Sequence, residues 1–263
     1  MGEKLGQHFL KNSRKIKGIA AALDLEANDI VIEIGPGHGE LTRELRIKNG
    51  GIRIIAIEKD KKLAEGLREK FFGDEKLEII EDDALKALPS IIHDSKFIIQ
   101  NYKLVGNIPY YITGHLLRVI GELRKKPELA VLTVQREVAL RLCARPPRMN
   151  LLSAAVRFWA EPKIVDFIPK KDFSPQPRVD SAIVRLETRP TEGKTEENYY
   201  RLTRAVFQQP RKTVFNNLKA ARLTTEVKLL TLLRKNNISS LARPQDLSLE
   251  TLKKLALMLY NEY

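Results

Sequence analysis

Apolar residues along the chain fall into short, nearly continuous runs, and most of these runs are followed by a stretch with helical spacing. Val31-Ile32-Glu33-Ile34 reads as a buried strand, and Ile52-Arg53-Ile54-Ile55-Ala56-Ile57, closed by Glu58, as a second. Leu77–Ile80 predicts a third. The stretch from Phe97 to Gly106 holds a fourth, ending in Lys103-Leu104-Val105-Gly106, and Leu129–Val134 is a fifth. Helical spacing is predicted over Ile16–Leu25, Glu40–Lys48, Lys59–Phe72, Ile112–Leu123 and Gln135–Leu142, with Asn49-Gly50-Gly51 and Gly73 as stop signals. Leu151–Trp159 reads as a helix or a mixed segment. Ile164–Ile168 and Ser181–Leu186 are two further strands, joined by the proline-studded Phe173-Ser174-Pro175-Gln176-Pro177. Strands alternating with helices predict an α/β fold with a parallel sheet. The two late strands, with no helical pattern between them, predict an antiparallel edge, giving a mostly parallel seven-stranded sheet. Thr188–Lys194 has the composition of a linker, and from Glu196 onward the pattern is helical only. The expected division is a sheet domain over 1–190 and a small helical domain over 191–263.

Between the first strand and its helix stands Gly35-Pro36-Gly37-His38-Gly39. Strand, glycine turn and helix together make a nucleotide-type cradle. Gly35 and Gly37 let the backbone turn sharply and approach a ligand with no Cβ in the way. Alone the pattern is weak, because many Rossmann-like folds share it and a tight βα turn with no ligand is the lesser reading. Glu58 sharpens the reading, because an acidic group about 20 residues past the loop, at a second strand's end, can accept from ribose hydroxyls. Glu81-Asp82-Asp83, just past the third strand, is acidic at the edge where open α/β sheets bind ligands. Such a loop is also a common solvated surface or helix cap.

Asn107-Ile108-Pro109-Tyr110 sits at the end of the fourth strand, beside the cradle. An exocyclic adenine amine is a poor nucleophile, since its lone pair is delocalised into the ring. A site that accepts hydrogen bonds from both of its N–H groups holds it in line with an electrophile and favours the pyramidal form. Asn107 can offer an amide oxygen and Ile108 its carbonyl. Pro109 stiffens the turn, and Tyr110 offers a flat face for an extruded base. An Asx-type turn with a buried tyrosine is the plain alternative.

Charge adds a partner. The 263 residues carry 46 Lys and Arg against 33 Asp and Glu, a formal net charge of +13. An excess of this size points to a polyanion, most simply nucleic acid. Residues 190–263 hold 13 basic and 7 acidic groups, so positive charge is densest there. Arg204, Arg211 and Lys212 are the candidate phosphate contacts in that part, with the loop Arg145-Pro146-Pro147-Arg148 as a second basic feature. A hydrophobic fraction of 43% supports a sizeable core. The single cysteine, Cys143, excludes internal disulfides and suits a reducing compartment. Four scattered histidines offer no metal-site spacing. The first ten residues lack the apolar core of a secretory signal, and position 6 is Gly6 where myristoylation prefers Ser or Thr. No apolar run is long enough to span a bilayer. The expected setting is the cytoplasm, with no membrane partner.

Taken together, these motifs resemble the small-subunit rRNA adenine N6-dimethyltransferases, the KsgA type, nearly end to end. Leu5-Gly6-Gln7-His8-Phe9-Leu10 is similar to the family's N-terminal signature, and Glu33 to Thr42 to its cofactor loop. Asn107-Ile108-Pro109-Tyr110 is similar to its Asn-Leu/Ile-Pro-Tyr motif. Gln135 to Val138, Phe173 to Ala182 and Phe207 to Leu218 resemble later blocks. The resemblance implies a class I, Rossmann-like methyltransferase using S-adenosylmethionine. It places His8 and Leu10 over the cofactor, Gly35 under its methionine part, Glu58 on the ribose, Asp83 on the adenine amine and Asn107 between cofactor and target. It puts Phe173 near the target base, although a core aromatic is an equal reading of that residue. The implied substrate is a pair of adjacent adenosines in a hairpin near the 3′ end of small-subunit rRNA, each dimethylated, in free rRNA or a pre-ribosomal particle. The expected form is a monomer. Tyr111 and Pro210 depart from the family pattern, which has Asn at the first and Arg at the second.

Three other readings stand beside this one. The large-subunit rRNA adenine methyltransferases of macrolide resistance share the cofactor loop and the Asn-Ile-Pro-Tyr type of motif; the Val179-Asp180-Ser181-Ala182 block and the Arg211-Lys212-Thr213 helix favour the small-subunit type. A non-catalytic assembly or transcription factor could use the same scaffold, but Glu58, Asp83 and Asn107 are all present. A dinucleotide oxidoreductase leaves Asn107 to Tyr110 without a role.

Overall fold

A computed structural model describes residues 6–48, 51–93, 101–190 and 193–260. Leu5, the Asn49-Gly50 stop signal, the start of the fourth-strand stretch at Phe97 and the Thr191-Glu192 part of the linker lie outside them. The chain divides into two compact units, Met1–Ala139 with Glu161–Thr188, and Leu140–Ala160 with Arg189–Tyr263.

The first unit is built on a seven-stranded sheet. Its strands in chain order are β2 (Ile30–Ile34), β3 (Arg53–Glu58), β4 (Leu77–Glu81), β5 (Lys103–Asn107), β6 (Leu129–Gln135), β7 (Ala160–Ile168) and β9 (Ser181–Thr188). They lie in the order β4-β3-β2-β5-β6-β9-β7. The first five pair in parallel, and β9 runs antiparallel to β6. The apolar runs are strands because both sheet faces are covered: Ile32, Ile54 and Leu104 are fully buried, each worth roughly 1.5–3 kcal/mol. The strand order reverses between β2 and β5. In open α/β sheets a crevice opens at such a switch point, beyond the carboxyl ends of the two strands. Gly35 follows β2 and Asn107 ends β5, so both halves of the candidate chemistry meet there.

Helices α1 (Ser13–Ala22), α2 (Glu40–Lys48), α3 (Lys61–Lys70), α4 (Ala84–His93), α5 (Thr113–Glu122) and α6 (Arg136–Leu142) connect the strands. The α1 helix starts three residues before its expected position because Asn12 caps it, its Oδ1 accepting from the N–H groups of Arg14 and Lys15. No element is predicted over α4, whose Pro89 reads as a breaker but sits inside the helix. A two-residue ribbon was also not foreseen. In it β1 (Phe9–Leu10) pairs antiparallel with β8 (Phe173–Ser174), Phe9 opposite Ser174 and Leu10 opposite Phe173.

The second unit contains α7 (Leu151–Trp159), α8 (Gly193–Val206), α9 (Val214–Ala220), α10 (Glu226–Lys235) and α11 (Leu249–Tyr260). A single cut at 190/191 therefore misplaces α7. Its Phe158 ring stacks on Tyr199 of α8 at 4.4 Å, and the Tyr199 hydroxyl donates to the Ala154 carbonyl at 2.8 Å. A linker composition marks the second boundary near 190, whereas within 140–160 only the Arg145-Pro146-Pro147-Arg148 loop interrupts the helical pattern, and it reads as a surface loop and not as a boundary.

Candidate active site

The glycine turn after β2 is anchored by the Gly35 N–H, which donates to the Ile57 carbonyl at 2.9 Å. Gly35 and Gly37 have φ of +66° and +61°, where a side chain is strained. A Cβ on Gly37 would also lie 2.9 Å from the Phe9 ring, so the N-terminal arm closes directly on the turn. A Cβ on Gly35 would come 3.7 Å from the Asn107 carbonyl oxygen, which places the two motifs face to face.

The pocket enclosed by these segments is acidic although the chain is strongly basic. Glu33, Glu40 and Glu58 line it, and no Lys or Arg does among the described residues. Glu58 is 3% exposed; its Oε2 accepts from the Gly37 N–H at 3.0 Å and its Oε1 from the Asp60 N–H at 2.9 Å. Burial raises its pKa, opposed by these backbone donors. Each oxygen keeps a second acceptor direction for a ligand hydroxyl. Glu33 is 1% exposed, with its Oε2 accepting from the Thr42 hydroxyl at 2.8 Å. Burial pushes its pKa up to about 7, and the nearby charges of Glu58 and Glu40 add to the shift. Such a pocket fits a ligand with positive charge and ribose hydroxyls. It opposes a pyrophosphate, which would meet buried carboxylates and no cation.

Along the other wall, the Asn107 Nδ2 donates to the His8 main-chain carbonyl at 2.9 Å. A carbonyl can only accept, so the amide NH2 faces His8 and the amide oxygen is turned away from it. Ile108 is buried, and Pro109 leads into a 3-10 turn over Tyr110–Ile112. Tyr110 stacks on the His8 ring with centroids 5.6 Å apart and shares a hydrogen bond of 2.7 Å with Ser181. Burial raises the Tyr110 pKa. The His8 Nδ1 is 2.8 Å from the Pro175 carbonyl, and the Phe9 ring tilts against His38 at 4.5 Å. The arm is thus held by β8, by Pro175 and by Asn107.

Of the residues expected at the site, His8, Leu10, Gly35, Gly37, Glu58, Asn107, Ile108, Pro109 and Tyr110 all line this pocket. Asp83 does not. It caps α4, with its Oδ1 accepting from the Leu85 N–H at 2.9 Å and its Oδ2 paired with Lys59 at 2.8 Å. That bond to Lys59 is the main cause of its lowered pKa. It stays close to the ribose-type acceptor, since the N–H of its neighbour Asp82 donates to the Glu58 carbonyl at 3.0 Å. Phe173, read equally as a residue near the target base or as a core aromatic, takes the second of these places. It is 4% exposed and belongs to the core with Leu10, Ile16 and Ile168, because the Leu10–Phe173 pairing seats both side chains there. Gln7, Phe9, Glu33 and Glu40 line the pocket and were not singled out as site residues. Glu33 carried a readable signal, a carboxylate inside an otherwise apolar strand.

The basic candidates are all exposed on the second unit. Arg145 and Arg148 lie on one turn, closed by the Arg148 N–H donating to the Arg145 carbonyl at 2.7 Å. The buried Arg157 supports it, bonding the carbonyls of Cys143 and Ala144 at 3.0 and 3.2 Å. Arg204 lies in the last turn of α8, and Arg211 and Lys212 on the turn before α9. Asn217, 2% exposed, holds that turn. Its amide exchanges two hydrogen bonds of 3.0 Å with the Gln209 backbone and donates to the Thr213 carbonyl at 3.1 Å.

Comparison with known proteins agrees with this geometry. A protein from Dehalococcoides mccartyi (strain CBDB1) named ribosomal RNA small subunit methyltransferase A is 42% identical over 256 residues, 96% of this chain and 86% of its own. Among solved structures, a dimethyladenosine transferase from Plasmodium falciparum matches with a TM-score of 0.81 at 25% identity, covering 97% of this chain and 98% of that one. The 23S rRNA methyltransferase ErmE matches with a TM-score of 0.75 at 28% identity, covering 95% and 99%. The family model described as ribosomal RNA adenine dimethylase spans residues 2–255, from the arm over the pocket to the last helix, and the chain belongs to that family.

Proposed function

We propose that this methyltransferase uses S-adenosylmethionine to dimethylate N6 of two adjacent adenosines in the 3′-terminal hairpin of small-subunit rRNA, during maturation of the small subunit in the cytoplasm. It acts as a monomer on the rRNA or the pre-ribosomal particle. The observation that carries the reading is the acidic pocket, with Glu33, Glu40 and Glu58 facing the Asn107–Tyr110 wall in a chain of net charge +13. A cationic cofactor fits inside, and a polyanionic substrate fits the basic surface outside.

When bound, the cofactor supplies an electrophilic methyl group on a sulfonium. Glu33 favours its ammonium group, Glu58 accepts from its ribose, and Asp83, once parted from Lys59, accepts from its adenine amine. His8 and Leu10 cover it and exclude water. Asn107 Oδ1 and the Ile108 carbonyl accept from the two N–H groups of the target amine and aim its lone pair at the methyl group. Tyr110 offers its face to the extruded base. Transfer leaves the methylated amine cationic and strongly acidic, and it would give its proton to solvent water as the adenine withdraws, so no strong base is required. Arg145, Arg148, Arg204, Arg211 and Lys212 contact phosphates and contribute affinity rather than chemistry.

Two measurements test this reading. In calorimetry S-adenosylmethionine binds and NAD does not. With labelled cofactor, unmethylated small subunits yield dimethyladenosine at two adjacent positions near the rRNA 3′ end, whereas large subunits stay unlabelled. Label confined to large-subunit rRNA would instead assign the macrolide-resistance type of activity.

A further inference from the structure

Segments 11–17 and 163–180 together hold eight Lys or Arg against three Asp, a local excess of five positive charges. Both lie in the first unit, and the β1–β8 ribbon joins them, with the Lys11 N–H donating to the Asp172 carbonyl at 2.8 Å. The three acids are already engaged. Asp166 pairs with Lys15 at 2.7 Å, and Asp172 accepts from the Asn12 amide at 2.8 Å. Asp180 accepts from the Lys170 main-chain N–H at 2.9 Å and stands 4.0 Å from Arg136. Lys11, Lys170, Lys171 and Arg178 are exposed, and among the described residues no ion pair or side-chain hydrogen bond holds them.

Between the segments is a hollow lined by Arg14, Lys15, Phe167 and Lys171 and also by the three engaged acids, so the local positive excess comes from the cations that flank it. Phe167 is 41% exposed, and the Arg136 guanidinium lies 5.1 Å from its ring centroid. An exposed aromatic ring with Arg136 against it, in a hollow that Arg14 and Lys171 also line, matches a single-stranded nucleic acid, which needs charge for its backbone and a flat face for a base. The ribbon also ties the hollow to the pocket. Phe9 and Leu10 line the pocket, while Lys11 and Asp172 lie at the ribbon's opposite end.

We propose that this hollow, together with Lys11 and Lys170 next to its lining residues Asn12 and Lys171, is a second RNA-docking surface, separate from the basic turns of the C-terminal unit, and that it holds single-stranded backbone adjoining the target adenosine. The inference rests on the rRNA-modifying reading above. The test uses the full chain with Lys11→Gln, Lys170→Gln and Lys171→Gln combined, and an RNA of the small-subunit 3′-terminal hairpin with its single-stranded flanks. The slope of log affinity against log salt becomes shallower by roughly 2 to 3, and low-salt affinity falls roughly tenfold or more. The KM for RNA rises while kcat, S-adenosylmethionine affinity and thermal midpoint stay at wild-type values. Separately, Phe167→Ala weakens binding at every salt concentration with the slope unchanged. A triple variant with wild-type slope and affinity overturns the inference while the rRNA reading stands. If the wild type neither binds nor methylates small-subunit RNA, that reading fails and the inference falls with it.

Discussion

The side-chain amide of Asn107 donates to the main-chain carbonyl of His8 across 2.9 Å, tying the end of β5 to the N-terminal arm over the pocket. One amide therefore has two tasks on its two ends. Its NH2 fastens the arm, and on the proposed reading its oxygen is left for the target amine. On that reading cofactor retention and target alignment pass through one side chain, and the variants below separate the two.

Glu58→Ala removes a buried acceptor shared by the Gly37 and Asp60 N–H groups. Loss of a charged-acceptor hydrogen bond to the ribose weakens S-adenosylmethionine binding by about 1.5–3 kcal/mol. Calorimetry reads this directly. A dissociation constant unchanged from wild type removes Glu58 from the cofactor site.

Glu33 gives the protein a characteristic pH dependence. Its folded pKa of about 7 lies above the 4.5 of a solvated glutamate, so between these limits the folded state holds a proton that the unfolded state has released. That contribution to stability is full below pH 4.5 and is lost as pH rises to 7, on the order of 3 kcal/mol in all. Denaturant unfolding of Glu33→Gln at pH 5 and pH 8 loses this component of the pH dependence, and the variant gains stability relative to wild type at pH 8. Cofactor affinity has the opposite sign. In the wild type it weakens as pH drops below about 7 and the carboxylate is neutralised, while in the variant it is weak and flat. Parallel pH profiles for the two proteins would contradict the assignment.

Asn217→Ala removes no charge, yet it frees the turn that carries Arg211 and Lys212. Unsatisfied backbone groups cost about 1–3 kcal/mol of stability. RNA affinity falls, as it does for the double variant Arg211→Gln, Lys212→Gln, whose salt slope becomes shallower by roughly 0.7–0.9 per lost contact. Cofactor affinity stays unchanged in both. If the double variant also loses the cofactor, the pair supports the fold and the division of labour is wrong.

Most of the first unit was legible because strand periodicity and glycine turns are local signals. The runs closing at Glu58 and Gly106 became β3 and β5 within a residue of expectation. What escaped depends on long-range pairing. Phe173 lies 163 positions from Leu10 in sequence, and nothing local shows that their strands form a ribbon and bury both. The same ribbon holds the arm over the pocket. Glu33 lies in a run that reads as a buried strand, but that its carboxylate lines the pocket is a tertiary fact. Asp83 was legible as the acid past the third strand, but its bonds to Lys59 and the α4 N-terminus are tertiary facts.

The most direct test of the central claim is the single-turnover rate of methyl transfer by Asn107→Ala at saturating cofactor and RNA. Saturation compensates for a loosened arm, so the rate reports the amide oxygen at the target amine. The account predicts a fall of roughly 100-fold to 1000-fold, about 2.7–4 kcal/mol, with the fold intact by thermal midpoint. A rate near that of the wild type would show that Asn107 only secures the arm and that the target amine is aligned by other groups.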